Sequence, residues 1–76
     1  MVMHPTEYYN WTAEEFTKRI LEAIPDHPEI LEITDPWILL RQQLVKTEGL
    51  DLTVYMAGWA LNKAKSEWKE TYGGTV

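Results

Sequence analysis

Two histidines, one serine and twelve carboxylates are the side chains of this 76-residue chain best suited to acid–base, nucleophilic or metal chemistry. Their spacing gives each a poor setting for it. A serine nucleophile needs a base and an orienting acid within reach. Ser66 has neither His4 nor His27 near it in sequence. The separation of those two histidines fits neither a zinc-protease motif nor a zinc finger. Asp26, Glu29, Glu32 and Asp35 recur every third residue around His27, a density that could collect a hard cation. The stretch lacks the alternating oxygen ligands and sharp-turn glycine of a calcium loop. We therefore read these four as an acidic patch that caps helices and solvates a turn. Glycosidase-type carboxylates must face each other across a cleft, and nothing in the sequence sets two acids opposite. No cysteine is present, which removes disulfides, thiolate metal sites and thiol nucleophiles. Gly49, Gly58, Gly73 and Gly74 build no phosphate loop with a following lysine. The sequence predicts no catalytic residue, no metal and no cofactor, and hence no enzyme.

Charge narrows the partners. The net charge of −5 and pI near 4.8 oppose a broad phosphate-binding surface. Arg41, Lys46, Lys63, Lys65 and Lys69 fall among aromatic residues, but the distribution argues against nucleic acid. Residues 1–35 carry eight acids and two bases, a balance of −6, whereas residues 36–76 carry four acids and five bases, a balance of +1. The second half is nearly neutral, and lysines late in a helix are favoured by its dipole alone. No apolar run approaches the roughly 20 residues that span a bilayer. The start Met-Val-Met-His-Pro-Thr-Glu lacks the basic and apolar regions of a secretion signal, which leads us to expect a cytoplasmic location. Asn10-Trp11-Thr12 matches a glycosylation pattern but in that setting reads as a helix start.

The elements that would position these residues are helical. Trp11-Thr12-Ala13-Glu14-Glu15-Phe16 has the form of a capping box, with Thr12 as N-cap, Glu15 at N3, and Trp11 and Phe16 as the apolar staple. From there Phe16, Ile20, Ala23 and Ile24 keep helical spacing until Pro25, which predicts a first helix over about 13–24 behind an aromatic tail, 1–11. Asp26-His27-Pro28-Glu29 has the form of a second capping box and opens a short helix near 27–33. The alternation Glu29-Ile30-Leu31-Glu32-Ile33 also fits a strand, whose only partner would be Leu52-Thr53-Val54-Tyr55. Asp35 as N-cap and Pro36 at N1 start a helix over about 36–48, with Gly49 just past its end. Asp51 would cap a last helix over about 52–72, with Leu52, Tyr55, Met56, Trp59, Ala60, Ala64, Trp68 and Tyr72 on one face and Gly73-Gly74 as its stop. Gly58, among Ala57, Ala60 and Ala64, makes the middle of that helix slim enough for close approach by a neighbour. With no repeat or linker, residues 1–76 read as one small all-α domain: a bundle of three main helices and one short one.

What this arrangement leaves over is apolar surface. Apolar residues make up 45% of the chain, and four tryptophans and four tyrosines are many for a core this thin. Aromatic residues are enriched at interface cores, so Tyr8, Tyr9, Tyr55, Trp59, Trp68 and Tyr72 are the candidate protein interface. The function expected is a non-enzymatic protein-interaction or assembly module, self-associating through the last helix as a homodimer. The alternative is an acidic inhibitor that docks its negative first half into a basic site on a partner protein.

Overall fold

The computed structural model describes the backbone of residues 5–73 and the side chains of residues 10–72. In chain order they form α1 (Pro5–Ala23), a 3₁₀ turn (Pro28–Glu32), α2 (Pro36–Gln42) and α3 (Val54–Trp68), and α3 runs on as a π-helical turn over Lys69–Gly73. The fold is all-α, and no strand occurs among the described residues. The stretch that alternated like a strand, Glu29 to Ile33, instead tucks Ile30 and Ile33 into the core from the 3₁₀ turn and its end.

α1 begins about two turns earlier than the capping box predicts, so residues 5–11 are helix rather than tail. Pro5 suits a first helical position, where its missing N–H has no partner to lose. Thr12 is then mid-helix and wholly buried, its Oγ1 without a hydrogen-bond partner, and it caps nothing. Nor do Trp11 and Phe16 staple the helix. Five residues apart on a continuous helix, they point roughly 140° from each other, so Phe16 is buried and Trp11 exposed. The inward stripe runs Thr12, Ala13, Phe16, Thr17, Ile20 and Ile24. Thr17 escapes the cost of burial by donating to the Ala13 carbonyl at 2.8 Å.

Pro25 ends α1 as its type requires. The N–H groups of Asp26 and His27 close the last turn on the Ala23 carbonyl at 3.0 and 2.9 Å. The 3₁₀ turn starts from His27, whose side chain makes no capping bond, so the second predicted capping box does not form. Asp35 does cap α2, accepting from the Trp37 N–H at 3.0 Å.

α2 stops six residues short of the predicted end, at Gln43, which takes a left-handed conformation at φ 52°. An apolar run as continuous as Trp37-Ile38-Leu39-Leu40 cannot bury every side of one helix against a thin core. Only Leu39 is fully buried, and leaving the helix lets Val45 reach the core from irregular backbone. Gly49 has the predicted positive φ, 78°, but spends it in the turn that Leu50 closes on the Thr47 carbonyl. Arg19 fixes this loop to α1, donating from one guanidinium nitrogen to the carbonyls of Lys46 at 3.2 Å and Glu48 at 2.8 Å.

α3 is capped by Thr53, whose Oγ1 accepts from the Met56 N–H at 3.2 Å, and not by Asp51, which is exposed. Its buried face is Met56, Ala57, Ala60, Leu61 and Ala64. Relative to the predicted stripe, the face is turned toward Ala57 and Leu61 and away from Tyr55 and Trp59. Three alanines let α1 approach closely, and an indole in their place would hold the helices apart. Gly58 meets the second neighbour: a Cβ there would lie 3.6 Å from Cγ of Pro36. Lys65 completes the frame, donating from Nζ to the Ile33 carbonyl at 2.8 Å. The molecule measures 18 Å along its thinnest axis, about two layers of helices. Every long helix therefore keeps a flank in water.

Candidate protein-contact surface

The outer flank of α3 carries Tyr55, 81% exposed, and Trp59, 45% exposed. Four residues apart, they lie one above the other on the same side of the helix. Lys63, one turn further on, holds its ammonium 4.8 Å from the Trp59 ring centroid, a cation–π contact that leaves part of the indole face open. Trp37, at 51% exposure, is the third large aromatic of this region. Pro36 touches the site of Gly58, and Trp37 and Trp59 follow those two residues in the chain. Their Cα atoms are consequently no more than about 15 Å apart. Trp37 and Trp59 thus each directly follow a residue of the α2–α3 crossing, and Tyr55 lies one turn before Trp59.

The other predicted interface residues go elsewhere. Trp68 is half-buried and packs on the core. Its ring centroid lies 4.3 Å from that of Tyr72, at an interplanar angle of 40°. Tyr8 and Tyr9 belong to the first turns of α1, and their side chains lie outside the described residues. The four described candidates are therefore not one patch: Tyr55 and Trp59 are together, and Trp68 and Tyr72 are together about three turns away.

The acidic patch is likewise divided. Asp35 is occupied by its cap on α2. Glu29 sits 3.3 Å from the His27 ring, with both groups substantially exposed. Glu32 projects into solvent. Asp26 lines a groove of about 450 Å³ with Arg19, Glu22, His27, Lys46 and Glu48, a lining of both signs. Among the described residues no group of three or more histidine, aspartate or glutamate side chains is placed to hold a metal ion. None of their helices is long and apolar enough to cross a membrane.

Trp37, exposed on α2, is not among the interface candidates read from the sequence. The available signal was the run of four consecutive apolar residues opening α2, one of which had to face outward. Arg19 and Lys65, which hold the scaffold by bonding carbonyls 27 to 32 residues away, carry no local signal at all. No family model, curated protein or solved structure matches the chain.

Proposed function

We propose that this chain is a non-enzymatic protein-contact module that pairs with a second copy of itself through Trp37, Tyr55 and Trp59. The observation that carries the reading is the exposure of these three large aromatic rings on α2 and α3. With each ring able to bury up to about 250 Å², their exposed fractions leave roughly 400 Å² of aromatic surface per copy. That total is comparable to the largest apolar patch of an ordinary soluble monomer, and about half of one side of an ordinary protein interface. The slim α3 around Ala57, Gly58 and Ala60 serves the packing of its own neighbours, so the contact between copies would be side chain to side chain. We take the setting to be cytoplasmic.

Sedimentation equilibrium tests the reading. A monomer–dimer equilibrium at micromolar concentration, weakened by Trp59→Ala with helical content unchanged, is expected. A clean 8.9 kDa monomer at about 100 µM, well above a micromolar dissociation constant, refutes it. The second reading, an acidic surface that docks into a basic site, draws support from the exposure of Asp26, Glu29 and Glu32. Salt separates the two. Aromatic pairing should be insensitive to salt or strengthened by it, whereas acid-to-base docking should fall steeply up to physiological ionic strength.

A further inference from the structure

A groove of about 390 Å³ lies where α1 and the π-helical extension of α3 end side by side, lined by Leu21, Glu22, Glu67, Trp68, Glu70 and Tyr72. One wall is the Trp68–Tyr72 ring pair, and Tyr72 is 71% exposed. Glu22 and Glu70 are exposed and Glu67 is half-buried, and none forms an ion pair among the described residues. The nearby cations do not neutralise them. Lys65 gives its ammonium to the Ile33 carbonyl, and Lys63 lies over Trp59 on another flank. Lys18, one turn before Glu22, makes no ion pair with it, and exposed Lys69 does not line the groove. No basic residue occupies the last turn of α1, and Lys69, which opens the π-helical turn, forms no ion pair with Glu67 or Glu70. Both elements therefore bring the negative ends of their dipoles to a place that already holds three carboxylates. Acids at helix C-termini oppose the dipole, so the arrangement works against the stability of the free chain. A local conflict of this kind is the usual mark of a functional site.

The chemistry of the lining selects the occupant. These carboxylates are not placed to share a bare metal ion. They border an aromatic wall, which suits a cation whose charge is spread over a flat and weakly hydrated group. A guanidinium stacks on aromatic rings and donates in its own plane to carboxylates, whereas an ammonium does only part of this. We propose that this groove binds an arginine side chain from a basic segment of a partner protein. The inference is independent of self-association through Trp37, Tyr55 and Trp59.

The test uses the full chain and the blocked peptide acetyl-Arg-Arg-Arg-amide, followed through the indole N–H resonances with Trp68 assigned by Trp68→Phe. Saturable shifts are expected at Trp68 and not at Trp59, with a dissociation constant below about 1 mM at low salt. Removing two partly exposed charges by E67Q/E70Q should weaken binding about five-fold or more. Tyr72→Leu should weaken it several-fold while the helical circular dichroism stays unchanged. Acetyl-Lys-Lys-Lys-amide should bind more weakly than the arginine peptide. Calcium chloride at matched ionic strength should compete no better than sodium chloride. Absence of a saturable Trp68 shift, undiminished affinity in both E67Q/E70Q and Tyr72→Leu, or specific competition by calcium would each overturn the proposal.

Discussion

Replacing Thr12 with valine should stabilise the fold by about 1–2 kcal/mol. Thr12 is wholly buried in the body of α1, and its Oγ1 has no hydrogen-bond partner. In the unfolded chain water satisfies that hydroxyl, so folding strips it for no return, at a cost of about 1–3 kcal/mol. Valine keeps the volume, the β-branching and the helix propensity and removes only the stranded group. Part of the gain is lost if the methyl packs less closely than the hydroxyl, which places the expected value in the lower half of the range. For a domain of this size, each 1 kcal/mol raises Tm by about 4–8 °C. Equilibrium urea melts give the number directly, with m unchanged if the denatured state is unaffected. The opposite sign refutes the reasoning. A Thr12 that capped a helix beginning at Ala13 would lose its cap in the valine variant and destabilise the fold by about 1 kcal/mol.

Two further outcomes follow from contacts of single residues. Gly58→Ala should stabilise by about 0.5–1 kcal/mol in thermal or urea melts, since alanine is the better helix former and its Cβ would meet Pro36 at an ordinary 3.6 Å; destabilisation would mean that α2 and α3 cross more closely than described. Arg19→Met should cost about 1–2 kcal/mol, because the guanidinium serves two loop carbonyls and partly faces solvent. Amide exchange in residues 44–50 should rise more than in α1, and equal exchange in the two variants of the chain would show that Arg19 does not hold the loop.

The class of fold and most of its segmentation were legible in local signals. Pro25 ends α1 because proline excludes its predecessor from helix, and the pair Asp35-Pro36 starts α2 because one side chain caps and the other needs no N–H. Phe16, Ile20 and Ile24 are core because their spacing matches the helical repeat. Such signals act over four or five residues and carry their physics with them. Their limits show at the ends of elements. Thr12 and Glu15 have the spacing of a capping box, but a box only permits a helix to begin, and a helix already running from Pro5 makes no use of it. Gly49 has the backbone freedom to end a helix, yet α2 had ended at Gln43 so that Val45 could be buried. On α3, periodicity located a stripe through Tyr55, Met56, Trp59 and Ala60 but left out the buried Ala57 and Leu61; how far the helix turns toward those two depends on how closely the backbones approach. The groove beside Trp68 joins Glu22 to Glu67 and Glu70, and Arg19 and Lys65 find their carbonyls, only after the chain has doubled back. From sequence alone came the helical class, the breaks between segments and the surplus of aromatic rings. Tertiary structure alone decided which rings stay in water and which charges meet, because both depend on distances between helices that no stretch of local sequence sets.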